Sequence, residues 1–403
     1  MLSWLRLWKI VLLKTSAVTA KQNLVLPPLS LYIHVPWCLQ KCPYCDFNSH
    51  GQKQQILPEM EYVSHLLADL TEDATLVGER PIHSVFIGGG TPSLFSADAI
   101  DKLLKGVRER VNLLPDAEIT LEANPGTVES QRFAGYVQAG VNRISIGVQS
   151  FQADKLLGLG RIHDDDQART AATIAHNVGL NSFNLDLMHG LPKQNLEDAL
   201  FDIKTALEQN PPHLSWYQLT IEPNTQFHSK PPKLPEDELL WDIQEQGHAL
   251  LEAAGYEQYE ISAYSKAGQQ CRHNLNYWRF GDYLGIGCGA HGKITLPEQN
   301  KIVRTVKVKH PKGYMDLTKA YTSELKTVVD EDLPFEFFMN RLRLVEPCPK
   351  ADYQKYTGLA LSEDVEANLQ NALAKGLLTE TTSHWQVTPL GRRYLNTLLE
   401  LMV

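Results

Sequence analysis

Short apolar runs alternate with longer amphipathic stretches along most of the first 221 residues. The runs at 31–35, 84–87, 118–122, 143–148, 182–187 and 216–221 are rich in β-branched and aromatic residues. Most lead within a few positions into Gly, Pro or Asn, which predicts buried strands. Between them, 59–70, 97–111, 129–139, 164–178 and 196–209 repeat apolar residues at a spacing near 3.6, which predicts helices with one buried face. Strands and helices in alternation build βα units around a parallel sheet. Six such units predict an α/β fold, a partial (β/α)6 barrel. In such a barrel the working groups collect at the C-terminal ends of the strands.

The first strand delivers the most informative segment. Cys38, Cys42 and Cys45 fall in Ile33-His34-Val35-Pro36-Trp37-Cys38-Leu39-Gln40-Lys41-Cys42-Pro43-Tyr44-Cys45, directly after the apolar run. A [4Fe–4S] cube is normally held by four thiolates, so a loop that offers three leaves one iron open to a small molecule. The spacing C-x-x-x-C-x-x-C resembles the signature of radical S-adenosylmethionine (SAM) enzymes, in which the amino and carboxylate groups of SAM take that iron. Two other readings compete. His34 or His50 closing a zinc site with the three thiolates departs from the usual well-separated pairs of ligands. A disulfide leaves one of the three unpaired, with only the distant Cys271, Cys288 and Cys348 in reserve. The thiols point to a reducing, cytoplasmic compartment.

Other strand ends carry glycine or polar groups. Gly88-Gly89-Gly90-Thr91-Pro92-Ser93 follows the second strand, where missing Cβ atoms let backbone approach a ligand closely, although a triple glycine alone is most often a turn. Glu122 ends the third strand as an acceptor for ribose hydroxyls or an ammonium group, or as a solvated or capping carboxylate. Gln149, Arg161 and Asp186 stand at or after the fourth and fifth strands. Polar residues at apolar strand ends need partners, so these three either satisfy one another across the barrel mouth or serve a ligand.

The strings YIHVPWCLQKCPYCDFNSH, FIGGGTPS, ITLEANPGT, ISIGVQSF, NLDLMHGLP and GDYLGIGCGAHG resemble the oxygen-independent coproporphyrinogen III oxidase family, over most of the chain. Within that family the chain is most similar to the HemW branch, whose members are regarded as haem chaperones. The oxidases resemble one another in a fourth cysteine two places after the third, whereas Asp46-Phe47 follows Cys45 here. His273-Asn274-Leu275-Asn276-Tyr277 matches the H-N-x-x-Y motif associated with haem in the HemW branch, and His and Tyr both serve as haem axial ligands. A barrel-mouth hydrogen-bonding His273 is the alternative. Cys288 stands where the family usually has alanine and is expected to be a small buried residue.

The resemblance implies a set of roles. Cys38, Cys42 and Cys45 bind the cluster; Tyr32, Tyr44, Gly89, Gly90, Thr91, Glu122, Gln149, Arg161 and Asp186 surround SAM; His273 and Tyr277 hold haem. The implied function is haem carriage and transfer to an acceptor apoprotein, a respiratory enzyme by resemblance. The competing reading is catalytic: oxidative decarboxylation of coproporphyrinogen III by a 5′-deoxyadenosyl radical.

With 403 residues, 43% of them hydrophobic, the chain buries a large core, and a net charge of −9 gives no general attraction to nucleic acid. No apolar run reaches membrane-spanning length. Residues 1–21 carry Arg6, Lys9, Lys14 and Lys21 among apolar residues and no acid. Residues 1–26 therefore read as a targeting peptide, a helix in peripheral membrane contact, or a dispensable extension, the reading we favour. Residues 27–293 form the expected barrel with the haem motif. Lys301, Arg304, Lys307, Lys309 and Lys312 mark 294–330 as a connecting segment, and 331–403 reads as a smaller helical, winged-helix-like domain. The acidic balance favours lid or partner docking for that domain over DNA binding.

Overall fold

All six apolar runs contribute neighbouring parallel strands in the computed structural model, which describes residues 21–52, 56–127, 130–161 and 164–402. They are β1 (Leu29–Val35), β2 (Ile82–Gly89), β3 (Leu113–Ala123), β4 (Arg143–Gln149), β5 (Ser182–His189) and β6 (His213–Gln218). Six more strands extend the sheet: β7 (Glu257–Gln258), β8 (Ala263–Ser265), β9 (Asp282–Ile286), β10 (His291–Leu296), β11 (Lys301–Lys307) and β12 (Thr322–Thr327). The order is β12-β11-β10-β9-β1-β2-β3-β4-β5-β6-β8-β7, an open twelve-stranded sheet and so a partial barrel. β9 pairs parallel with β1, a seventh parallel strand beyond the six expected, while β7, β8 and β10 to β12 pair antiparallel.

The crossover helices are α1 (Glu59–Ala74), α2 (Ala97–Arg110), α3 (Ser130–Ala139), α4 (Asp165–Asn177) and α5 (Leu196–Glu208), and α6 (Asp237–Ala253) follows β6. Their starts are chemically marked. Ser96 accepts from the Ala99 N–H, and Asp164 and Asn195 each close a capping box with Gln167 and Asp198. Ile100, Leu103, Leu104 and Val107 of α2 belong to the same buried cluster as Val85, Ile87, Ile119, Leu121, Ile144 and Ile146 of the strands. Side chains alternate along a strand. The opposite, inward face therefore carries Tyr32 and His34, Ser84 and Phe86, Glu118 and Glu122, Arg143 and Ser145, Asn184 and Asp186, and Ser215 and Tyr217. That polar interior positions the site.

Three expectations change. The sixth strand begins at His213 and not at Trp216, because the buried His213 imidazole is satisfied on both sides, by Asn184 Oδ1 at 2.6 Å and Tyr259 Oη at 2.7 Å. Leu219 and Ile221, read as strand, pack instead with Leu159, Met188, Phe227 and Tyr44 beside the cysteine loop. Residues 294–327, read as a connector, supply the second half of β10 and all of β11 and β12. Their basic residues are partly neutralised within the fold: Lys307 pairs with Asp69 at 2.6 Å and Asp73 at 2.8 Å, and Arg304 with Glu336 at 2.7 Å.

Residues 1–20, including most of the basic amphipathic segment, lie outside the described residues. Residues 21–26 are tied down: Gln22 N donates to Gly358 O at 2.7 Å, Val25 N to Lys355 O at 3.2 Å, and Leu24 is buried in the C-terminal core. That core joins α8 (Leu333–Arg341), α9 (Lys350–Thr357) and α10 (Glu363–Ala374) to a three-stranded sheet of Cys348–Pro349, His384–Val387 and Leu378–Glu380. Phe280, Ile302 and Val328 enter it from the barrel side. Among the described residues no helix is long and apolar enough to cross a membrane.

Candidate functional site

The cysteine loop leaves the end of β1 and is sutured to the glycine turn after β2. Gly90 N donates to Val35 O at 2.7 Å and Thr91 N to Trp37 O at 2.7 Å. A Cβ on Gly90 would sit 2.4 Å from Trp37 O, and on Gly89, whose φ is 114°, it would sit 2.4 Å from the His34 ring. Glycine is required at both places, which gives the triple glycine a reason beyond an ordinary turn. The far side of the loop is clamped by Asn48, whose Nδ2 donates to Cys288 O at 2.9 Å and Lys309 O at 2.8 Å. His34 completes the clamp, with Nε2 at 2.9 Å from Asn48 O and Nδ1 at 2.9 Å from Tyr32 Oη. Both of its nitrogens are engaged, so His34 is not available to close a zinc site. Burial pushes its pKa down to about 4 and the ring is neutral.

Cys38, Cys42 and Cys45 are free thiols that line one cavity, of about 970 Å³ counted out to its mouth. They do not converge at single-ion spacing with other His, Cys, Asp or Glu groups among the described residues. Among the described residues the cavity wall holds no imidazole and no fourth thiol. This donor set fits a multi-iron cluster with one iron left for an exogenous ligand. Cys288 is buried away from the wall, its Sγ 2.9 Å from Lys309 O.

Tyr44, Gly89, Gly90, Thr91, Glu122, Gln149, Arg161 and Asp186 line the same cavity. Glu122 Oε2 accepts from Gly89 N at 2.9 Å. Burial, reinforced by the nearby Asp186, pushes the Glu122 carboxyl up to about 7. Gln149 adopts a left-handed backbone, with φ of 69°, and its Oε1 accepts from Tyr217 Oη at 2.8 Å. Arg161 donates to Gly147 O at 2.6 Å and places Nη1 3.7 Å from Cys42 Sγ. Asp186 accepts from Ser145 Oγ at 3.0 Å and Asn184 Nδ2 at 2.8 Å. Each of Gln149, Arg161 and Asp186 has its own partner, and none bonds to another of the three among the described residues. Tyr217, which reasoning from the sequence passed over, joins the wall through the inward alternation of β6.

Three named residues lie elsewhere. Tyr32 sits below the cavity and stacks on Phe86 with ring centroids 6.4 Å apart. His273 and Tyr277 belong to α7 (Arg272–Trp278), which closes the N-terminal end of the barrel and not its mouth. Glu118 accepts from the backbone N–H groups of Arg272 and His273, each at 3.0 Å, and Asn276 Nδ2 donates to Ser30 Oγ at 2.8 Å. His273 Nδ1 is 3.1 Å from Ser84 Oγ, five residues before Gly89, a separation of about 16 Å along the strand. Its Nε2, and the hydroxyl of Tyr277 one helical turn on, have no protein hydrogen bond among the described residues. Burial, with the charge of Arg143, pushes the His273 pKa down to about 3, so the imidazole is neutral. Tyr32, His273 and Tyr283 are each partly buried.

Residues 32–205 match the Radical SAM superfamily and residues 329–394 the HemN C-terminal domain. The chain is 60% identical over 379 residues to the "Heme chaperone HemW" of Escherichia coli (strain K12), covering 94% of this chain and 99% of the relative. It is 34% identical over 372 residues to that of Bacillus subtilis (strain 168), covering 90% and 96%. Among solved structures, the coproporphyrinogen III oxidase HemN from Escherichia coli superposes with a TM-score of 0.80 at 24% identity, over 94% of this chain and 90% of that one. At that identity the likeness shows the fold alone.

Proposed function

Given that the chain belongs to the HemW family of radical SAM proteins, we propose that it holds a [4Fe–4S] cluster, SAM and haem and hands the haem to an acceptor apoprotein. The observation that carries the haem part of this reading is the geometry of α7. Ser84 meets the His273 imidazole at Nδ1, Tyr277 follows one turn later, and among the described residues neither His273 Nε2 nor the Tyr277 hydroxyl has a hydrogen bond. A neutral imidazole oriented through one nitrogen is what an axial ligand requires.

Cys38, Cys42 and Cys45 are the cluster ligands in this reading. The cluster, when bound, supplies an iron with an open position for the amino and carboxylate groups of SAM. Around it, the Gly89–Gly90 turn lets backbone approach SAM, Glu122 and Asp186 offer carboxylates to its ammonium and ribose hydroxyls, and Thr91, Gln149, Arg161 and Tyr44 complete the surround, with Tyr32 below it and outside the wall. The protein works in the cytoplasm and the acceptor is a respiratory enzyme, both inferred from the family resemblance. No coproporphyrinogen oxidase activity is assigned, because Asp46-Phe47 stands where the oxidases resemble one another in a fourth cysteine.

The test is the haem spectrum of His273→Ala after anaerobic cluster reconstitution. The reading expects a shifted or lost Soret band with cluster absorbance intact. An unchanged Soret band beside a lowered melting temperature would instead make His273 a structural hydrogen-bonding residue.

A further inference from the structure

Arg143 opens β4, and its side chain is 4% exposed. Strand alternation puts it on the inward face with Ser145, Gly147 and Gln149, all residues of the cavity wall. Register fixes its depth. Arg143 pairs with Thr120 and Thr120 with Phe86, whose ring centroid is 5.2 Å from that of His273. It therefore lies level with the haem motif, six residues or about 20 Å along the strand from Gln149.

No ion pair and no hydrogen bond to its guanidinium is found among the described residues, and Nε is buried without a partner. The carboxylates of Glu118 and Asp186 lie close enough to favour its charged form against burial, but neither bonds to it, each being hydrogen-bonded to other groups. Glu118 accepts from the Arg272 and His273 backbone and from Cys271 Sγ, and Asp186 accepts from Ser145 and Asn184. Burying a cation without a partner is costly, and proteins pair such groups. The charge is nevertheless felt: after burial, the larger cause, it depresses the basicity of both His213 and His273. A guanidinium presents a planar fork of donors that matches a carboxylate with two parallel bonds.

We propose that Arg143 anchors a carboxylate of the ligand held inside the barrel, a propionate in the case of haem. The inference rests on the haem reading above and adds to it a specific recognition site for the acidic edge of the macrocycle. In that arrangement Phe86 and Tyr32 would offer apolar contact to the macrocycle, α7 would supply His273 and Tyr277, and Arg143 would meet the acidic edge.

The test uses cluster-reconstituted, SAM-loaded protein titrated with haem and with haem dimethyl ester, which lacks the two carboxylates. Wild type is expected to bind haem at least tenfold more tightly than the ester. In Arg143→Gln haem affinity falls about ten- to a hundredfold, the range of a charge-assisted pair, while ester affinity and SAM affinity stay put. Arg143→Lys, which keeps the charge but not the fork, falls in between and guards against a folding defect in the glutamine variant. An equal loss for haem and ester, or an unchanged discrimination between them, would overturn the proposal. Failure of wild type to bind either ligand would overturn the haem reading itself.

Discussion

Replacing Gly89 by alanine is the most calculable perturbation of the site. Its φ of 114° is a backbone region that side chains rarely occupy, and the new Cβ would lie 2.4 Å from His34 Cε1. His34 has little freedom to move, because Tyr32 holds one nitrogen and the Asn48 carbonyl the other. Backbone strain of about 1–3 kcal/mol adds to the loss of two hydrogen bonds at about 0.5–1.5 kcal/mol each, a total of about 2–6 kcal/mol. The damage converges on the cofactor cavity, since Gly89 N also holds Glu122 and Asn48 positions the cysteine loop. We expect Gly89→Ala to weaken SAM binding at least tenfold, measured by calorimetry on anaerobically reconstituted protein, or to lower its iron content. Gly51→Ala is the control in the same loop, where no heavy atom lies within 4 Å of the added carbon. SAM affinity within twofold of wild type in Gly89→Ala, with an unchanged melting temperature, would refute the steric argument.

Cys38→Ala, Cys42→Ala and Cys45→Ala should each abolish the cluster while Cys271→Ala and Cys348→Ala keep it, because only the first three line the cavity; iron and sulfide analysis decides, and full iron content in Cys42→Ala contradicts the assignment. With Glu122 pushed up to about 7, mainly by burial, its ammonium-binding ionised form is lost as pH falls. SAM affinity should therefore rise about tenfold from roughly pH 6 to pH 8, and be flat over that range in Glu122→Gln. Burial likewise pushes Glu260 up to about 7. A carboxyl whose folded pKa exceeds its unfolded value costs stability as pH rises through that window, here by at most about 3–4 kcal/mol. Thermal melts of Glu260→Gln should accordingly show a shallower decline than wild type between about pH 5 and 8, and parallel profiles would be evidence against a buried, reluctant acid.

The barrel was legible because its strands carry two messages at once. Ile33, Val85, Ile119 and Ile144 point out to the helices, and the residues between them point in, so strand ends could be found and Cys38, Gly89, Glu122 and Gln149 located there. Contacts between distant parts of the chain were not legible. Asn48 reaches Cys288 across 240 positions and Lys309 across 261, and nothing in the local composition of either segment announces the pairing. β9 to β12 were obscured for a related reason. The basic residues that marked 294–330 as a connecting segment include Lys307, whose charge is neutralised by Asp69 and Asp73 more than 230 positions away. The place of the H-N-x-x-Y segment, at the mouth only in the alternative reading of His273, was not legible either. Its position at the closed end of the barrel depends on Glu118, Ser84 and Ser30 meeting α7, and none of them lies within 150 residues of it in sequence. Arg143 escaped notice because a strand-opening arginine is ordinary until its lack of partners is seen.

We propose that this chain carries haem, and we assign it no oxidation of porphyrinogens. Anaerobically reconstituted protein, supplied with SAM and a strong reductant, should be incubated separately with haem and with coproporphyrinogen III. The account predicts stoichiometric retention of haem through gel filtration and no protoporphyrinogen formed; sustained protoporphyrinogen formation without haem retention would contradict it.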